Sequence, residues 1–142
     1  MRTTILRYFK ERFGISKKIF SDYSIIAKKE KVWIVSKDVL EKNLEGLRIE
    51  TIGLLLGRYF KRQNRLKPTT NALQIFGKYA TKNVVELNEE EKEKYVRGYN
   101  LKKDLELENG YIILKFGSNI LGCGLYKDGE IKNQIPKSKV II

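Results

Sequence analysis

The sequence contains no histidine and only one cysteine among its 142 residues. Without histidine, the chain lacks the usual acid–base group near neutral pH and the commonest transition-metal ligand. The single cysteine, Cys123, excludes an internal disulfide, and its place between two glycines is typical of a small buried side chain. Neither a complete dinucleotide-binding glycine motif nor a phosphate-binding Gly-Lys-Ser/Thr loop is present. The sequence therefore predicts a protein without catalytic residues, metal or cofactor.

Long apolar runs are absent as well. No window approaches the roughly 18 consecutive apolar residues that a membrane span requires, and the first residues lack the apolar region of a secretory signal. The hydrophobic content of 42% nevertheless suffices for one ordinary core in a chain of this length. We expect one compact, cytoplasmic unit with no membrane partner.

Acidic residues are scarce in one part of the chain. Residues 1–85 hold 19 Lys/Arg but only 7 Asp/Glu, whereas the remainder holds 10 of each. All of the net charge of +12 therefore lies in the first 85 residues. Nucleic acid is the commonest intracellular polyanion that such a surface meets. The alternative is that the lysines serve solubility or thermal stability.

The densest basic segment is residues 58–67, which contains two aromatic and no acidic residues. Its five cations are Arg58, Lys61, Arg62, Arg65 and Lys67. This composition predicts a loop that binds phosphates, with a solvated surface loop as the alternative. Its two aromatic residues, Tyr59 and Phe60, either stack on unpaired bases or pack on the core, and core packing is favoured.

Apolar spacing and turn residues predict the elements of the first half of the chain. A helix over 4–13 has Thr3 or Thr4 as its N-cap and ends at Gly14. Strands over 23–27 and 32–35 precede a helix over 37–44 that Ser36 caps. A strand over 47–56 follows, with a bulge or close backbone approach at its glycines. Pro68 suits the entrance to a further helix, which runs through about Thr81. The sole tryptophan, Trp33, is expected to pack in the core.

The acidic run at residues 89–91 has two interpretations. It resembles a metal site, but Asn88 before it and Lys94 four residues after Glu90 are typical of a capped helix with a supportive ion pair. The three carboxylates would also lie at the positive end of the helix dipole. We therefore favour the helix, which is expected to end at Gly98.

The last third of the chain predicts an antiparallel meander. Residues 110–117 and 120–126 are rich in β-forming residues, and an Asp128–Gly129 turn leads to a third strand from Ile131. The motifs of the chain from residue 50 onwards keep one order: 53–57, 67–73, 83–87, 95–98, 110–117, 120–126 and 131–137. In this order the chain resembles the C-terminal PUA-like RNA-binding domain of the Sun family of RNA cytosine-5 methyltransferases, here without the methyltransferase domain.

The resemblance implies an α+β fold: a PUA-like, mainly antiparallel β-barrel or pseudo-barrel over 47–142, with flanking helices and a small N-terminal α/β extension over 1–46. It implies binding of structured tRNA or rRNA, and adds Lys115, Lys132, Asn133 and Lys137 as second-rank RNA contacts. Two roles follow: a targeting subunit for a separately encoded RNA methyltransferase, or a ribosome-assembly factor on pre-ribosomal particles. The alternative from another class is a protein-interaction module whose basic face binds an acidic partner.

Overall fold

The computed structural model describes residues 1–141 and contains two β-sheets with five α-helices packed around them. The helices are α1 (Arg2–Phe13), α2 (Lys37–Glu41), α3 (Ile49–Ile52), α4 (Thr70–Phe76) and α5 (Glu89–Val96). The strands are β1 (Tyr23–Lys28), β2 (Lys31–Ser36), β3 (Leu54–Phe60), β4 (Arg65–Pro68), β5 (Val84–Glu86), β6 (Leu101–Lys102), β7 (Gly110–Phe116), β8 (Asn119–Lys127) and β9 (Glu130–Asn133). Within residues 1–141, no helix has the length and apolar composition needed to cross a membrane.

Sheet A is an antiparallel sheet in the order β1-β2-β3-β4, and sheet B has the order β5-β7-β8-β9-β6. In sheet B only β5 runs parallel to its neighbour, β7, and the sheet curls into a half-barrel. The predicted α+β class with a PUA-like, mainly antiparallel pseudo-barrel is confirmed.

The main core lies between the two sheets and joins both halves of the chain. Phe9 of α1, Leu56 of β3, Leu66 of β4 and Ile113 of β7 are each at most 1% exposed and belong to one cluster. A second cluster lies on the opposite face of sheet B around Tyr95 of α5. Because the cluster residues of sheet A point inward, the alternate positions of its strands face outward.

Several predicted elements are confirmed. The helix at the N-terminus ends at Gly14, the strands of the first hairpin and of the C-terminal meander are present, and Ser36 caps α2 by accepting a hydrogen bond from the Val39 amide. The acidic run begins α5 as a capped helix, and the ion pair of Glu90 with Lys94 is present at 3.5 Å. Cys123 is buried as predicted, and burial raises the pKa of its thiol to about 12.

Four local predictions were wrong. The first helix begins at Arg2 with neither threonine as its cap, and α2 ends at Glu41, three residues early. Residues 49–52 form the short helix α3 rather than the start of a strand. The helix predicted to follow Pro68 and run through about Thr81 begins at Thr70 but already ends at Phe76, after which the chain forms a 3₁₀ turn. These errors share one cause, because short segments with mixed apolar spacing take the conformation that tertiary packing favours.

The predicted boundary between 46 and 47 falls in the connection from α2 to α3. Sheet A contains strands from both sides of this boundary, since β2 pairs with β3. The division into an extension over 1–46 and a domain over 47–142 stays a prediction about independent folding.

Candidate nucleic-acid interface

The basic segment 58–67 is a β-hairpin rather than a loop. It comprises the end of β3, a 3₁₀ turn over Lys61–Gln63 and the strand β4, with Asn64 at a positive φ of 46°. The predicted irregularity occurs at Gly57, because the pairing of β2 with β3 shifts by one residue beside it. A side chain at Gly57 would place its Cβ 2.5 Å from the carbonyl oxygen of Lys67, so the tight hairpin requires glycine there.

The hairpin sorts its residues between two faces. Leu66 is completely buried in the main core, so Lys67, the next residue of β4, points to the outer face of sheet A. Arg65, the first residue of β4, instead turns to Tyr111 of sheet B. Lys67 lies directly opposite Arg58 of β3. Arg58 and Lys67 therefore share the outer face of sheet A, whereas Lys61 and Arg62 lie exposed on the turn.

Arg65 is held in a defined position by an aromatic residue of sheet B. Its guanidinium lies over the Tyr111 ring, 4.7 Å from the ring centre, and Nη2 donates a 2.6 Å hydrogen bond to the Tyr111 hydroxyl. Tyr111 is itself only 3% exposed and belongs to the main core. This contact restricts the arginine side chain, which lowers the entropy cost of binding an anion through its remaining N–H donors.

A cavity of about 410 Å³ opens beside this contact, and we refer to it as the Tyr111 cavity. Its lining combines α1, the β3–β4 hairpin and the meander of sheet B. Four of the lining residues are cations: Arg12, Arg65, Lys127 and Lys132. Elements distant in the sequence thus bring positive charge and aromatic surface to one opening.

Arg12 is half-buried and is the least exposed of these four cations. Its Nε donates a 2.7 Å hydrogen bond to the Tyr111 carbonyl oxygen, and a Cβ at Gly110 would lie 2.9 Å from its guanidinium carbon. Position 110 therefore requires glycine if Arg12 is to approach strand β7. Burial lowers the pKa of the Arg12 guanidinium, while burial raises the pKa of the adjacent Tyr8 hydroxyl. Arginine still carries its charge at neutral pH.

A second cavity, of about 370 Å³, lies beside Lys67, and we refer to it as the Pro136 cavity. Arg58 and Lys67 of sheet A line one side, and residues 133–136 line the other. Since Arg65 lines the first cavity and Lys67 the second, strand β4 borders both.

The second-rank candidates do not lie together. Lys132 lines the Tyr111 cavity, and Lys137 is exposed in a 3₁₀ turn directly after Pro136. Lys115 instead lies near the far end of β7 and forms an ion pair with Glu86 of β5 at 3.7 Å. It is four residues beyond Tyr111, about 13 Å along the strand. The RNA-contact role of each of these residues stays a prediction.

Asn133 lines the Pro136 cavity, but its side chain is committed to the fold. The Nδ2 group donates to the carbonyl oxygens of Tyr95 and Tyr99 at 2.8 and 2.9 Å, and Oδ1 accepts from the Ile135 amide at 2.8 Å. These bonds tie the end of β9 to the end of α5. The arrangement supports a structural role for Asn133.

The aromatic residues near the basic surface differ in their packing. Tyr59 is half-buried and packs on the main core, as predicted, and its hydroxyl donates to the Asn64 side chain at 2.7 Å. Trp33 is half-buried and belongs to neither core cluster. The prediction that Trp33 packs in the core was wrong, because its neighbours Val32 and Ile34 occupy the inward-facing positions of β2.

Sequence reasoning did not find Arg12 and Lys127 as members of this surface. Arg12 lies on a helix whose apolar face was recognised, but its contact with Tyr111 spans 99 positions of sequence. Lys127 precedes the Asp128–Gly129 turn, and nothing local distinguishes it from a solvated strand residue. Neither residue carries a sequence signal, since only the packing of α1 against sheet B creates the cavity.

Residues 82–141, which include all of sheet B, match the family model described as "Methyltransferase RsmF PUA domain". Residues 1–53 match the model of a family of unknown function, DUF7122. The resemblance to a PUA-like domain from an RNA methyltransferase family is thereby confirmed.

Curated relatives extend this likeness over nearly the whole chain. The chain is 26% identical to "Ribosomal RNA small subunit methyltransferase F" of Aeromonas salmonicida (strain A449) over 137 residues, 96% of the chain and 27% of that protein. It is 29% identical to the protein of the same name from Vibrio campbellii over 143 residues, 92% of the chain and 30% of that protein. The chain thus spans less than a third of the length of the relatives it matches.

Proposed function

We propose that this protein is a non-catalytic RNA-binding protein that recognises structured tRNA or rRNA. The likeness to a PUA domain of a ribosomal RNA methyltransferase supports the class of ligand. The observation that carries the proposal is the Arg65–Tyr111 contact at the mouth of a cavity that three further cations line. Because the chain spans under a third of the relatives, their methyltransferase activity is not transferred to it.

The geometry suggests how the surface would hold RNA. Arg65 uses one N–H for Tyr111 and retains others for phosphate oxygens, and planar bidentate contacts of arginine with phosphate are strong. Lys132 contributes a charge from sheet B, on the other side of the cavity. Contacts from two sheets to one backbone favour a folded RNA of matching shape over a particular base sequence.

The test is binding of fluorescent total tRNA and a matched DNA duplex across a salt series. We expect the wild type to prefer RNA and the R65A/K132A variant to bind more weakly, with a salt slope lower by about 1.5 for two lost phosphate contacts. The control is K17A/K18A, which removes the same charge from two exposed lysines that line neither the Tyr111 cavity nor the Pro136 cavity.

Absence of tRNA binding by the wild type even at low salt would refute the proposal and favour an acidic protein partner, whose capture would then survive nuclease treatment. Equal weakening by R65A/K132A and K17A/K18A would show a general charge effect rather than a site. The expected pattern is a loss confined to the cavity variant.

Two cellular roles are consistent with RNA binding. As a targeting subunit, the protein would present RNA to a separately encoded methyltransferase, and such an enzyme would co-purify with it. As a ribosome-assembly factor, it would sediment with pre-ribosomal particles without that enzyme. Affinity purification followed by gradient sedimentation separates these roles.

A further inference from the structure

Four cations form a row across the outer face of sheet A, one from each strand. The strand registers place Lys28 opposite Lys31, Lys31 opposite Arg58, and Arg58 opposite Lys67. Directly opposed residues of antiparallel strands point to the same side, so the four side chains share one face. We call this set the cation row. Lys28 and Lys31 were not among the residues predicted from the sequence.

Without a bound anion, such a row of like charges destabilises the folded state. Like charges directly opposite one another destabilise a sheet, and this row contains three such pairs. Two members have carboxylate partners: Lys28 pairs with Glu50 at 3.1 Å and Arg58 with Glu30 at 2.7 Å. Within residues 1–141, Lys31 and Lys67 form no ion pair. The excess charge of the row therefore calls for an external anion.

The spacing of the row suits a nucleic-acid backbone. Strands lie about 4.8 Å apart, so the four residues span about 14 Å in a direction perpendicular to the strands. Along the axis of a DNA duplex one strand carries a phosphate about every 3.4 Å, so a row of this length can reach more than one phosphate of a nucleic-acid strand. At its β4 end the row meets the Pro136 cavity, which Arg58 and Lys67 line.

We propose that the cation row is a phosphate-binding track that carries one strand of RNA across sheet A to the cavities bordering β4. This inference rests on the proposed RNA-binding function and adds a second contact surface, on the N-terminal half of the chain. RNA would then contact both sheets. Its path would run from β1 along the cation row to β4 and would pass the Tyr111 cavity.

A natural reporter lies beside the row. Trp33, the only tryptophan, is two residues from Lys31 on β2 and therefore on the same face. RNA bound along the row would change the surroundings of this half-buried indole. We expect titration with total tRNA to change Trp33 fluorescence in the wild type.

The decisive comparison uses K31Q/K67Q, which removes two charges but keeps most of each side-chain stem, against the control K17Q/K18Q. We expect K31Q/K67Q to weaken tRNA binding on the order of ten-fold at 0.1 M salt, to lower the salt slope by about 1.5, and to reduce the fluorescence change. Its thermal stability should equal or exceed that of the wild type, because all three like-charge pairs of the row are relieved. The K31R/K67R variant should bind tRNA about as tightly as the wild type, because arginine keeps the positive charge at both positions.

The possible results separate the two proposals. If the wild type binds tRNA while K31Q/K67Q matches the control in affinity and slope, the track is refuted and the proposed function stands. If the wild type binds no tRNA, both are refuted. A K31Q/K67Q variant that loses affinity but keeps the wild-type salt slope would also overturn the track, since phosphate contacts must release counterions.

Discussion

At the scale of single residues, two neighbours on β9 have different surroundings. Lys132 is exposed and lines the Tyr111 cavity, whereas the side chain of Asn133 satisfies backbone groups of α5 and the following turn. Sequence composition placed both in one group of candidate RNA contacts. Their separation required the hydrogen-bond partners, because a polar side chain after a strand looks the same in either role.

We expect Asn133→Ala to lower the free energy of unfolding by roughly 1–3 kcal/mol, because it removes three side-chain hydrogen bonds that tie the end of β9 to the end of α5. Lys132→Ala should change stability by less than about 0.5 kcal/mol, as surface substitutions usually do. Urea denaturation of both variants measures these changes. In tRNA binding the order should be reversed, with Lys132→Ala weakening the affinity more than Asn133→Ala. Unchanged stability of Asn133→Ala would contradict the structural role and favour a direct contact with RNA.

At the scale of elements, α5 shows how a local signal specifies structure. Asn88 and Glu91 form a reciprocal capping box, with bonds of 2.8 and 3.0 Å between each side chain and the other's amide. Lys103 also donates to both carboxylate oxygens of Glu91, at 3.1 and 3.0 Å. Burial alone raises the pKa of Glu91, but the hydrogen bonds from Asn88 and Lys103 outweigh it, so the pKa is lowered.

Because the pKa of Glu91 is lowered in the folded state, the free energy of unfolding is expected to decrease at acidic pH. The charged form of Glu91 stabilises the folded state above its ordinary pKa of 4.5, and this contribution is lost as the pH falls through the lower pKa of the folded state. We expect Glu91→Gln to be less stable than the wild type at pH 7, with a difference that shrinks below about pH 4.5. Melting temperatures at pH 7, 4.5 and 3 measure this.

The matched control is Glu89→Gln, which removes a carboxylate from the same first turn of α5 without breaking the capping box. A difference between Glu91→Gln and the wild type that persists undiminished at pH 3 would show that the carboxylate charge is not the cause.

At the scale of the whole molecule, the N-terminal 46 residues are part of the main core. Their buried side chains Ile5, Phe9, Phe13, Phe20 and Ile34 are each at most 2% exposed. Removing even one large core side chain costs about 2–5 kcal/mol, and whole domains are stable by only about 5–15 kcal/mol. The two predicted units of the chain are therefore expected to depend on each other.

We expect a fragment of residues 47–142 to lack cooperative folding, because it exposes the core and leaves β3 without its neighbour β2. Circular dichroism during heating and amide dispersion in NMR spectra test this. Mixing the fragment with a peptide of residues 1–46 should restore folded signals. A sharp melting transition of the isolated fragment would instead establish the boundary at 46/47 as one between folding units.

The sequence by itself determined the elements whose signals are local: the amphipathic first helix ended by Gly14, the Asn88 cap, the hairpin turns and the alternating strands of the meander. It also determined the concentration of positive charge in residues 1–85 and in segment 58–67. These properties follow from backbone preferences and side-chain charge, which act over a few residues. The order of the motifs sufficed to indicate the PUA-like fold.

Only the tertiary structure decided which cations share a surface. Arg12 meets Tyr111 because α1 packs against sheet B, and Lys31 lies opposite Arg58 because β2 pairs with β3 in one register. Lys115 is equally basic in sequence but lies far along β7 beside Glu86. Charge type is a property of the residue, whereas the positions of charges relative to one another arise from contacts between distant segments. The sequence therefore predicted a polyanion-binding protein, whereas the packing of the two sheets decided where its cations lie.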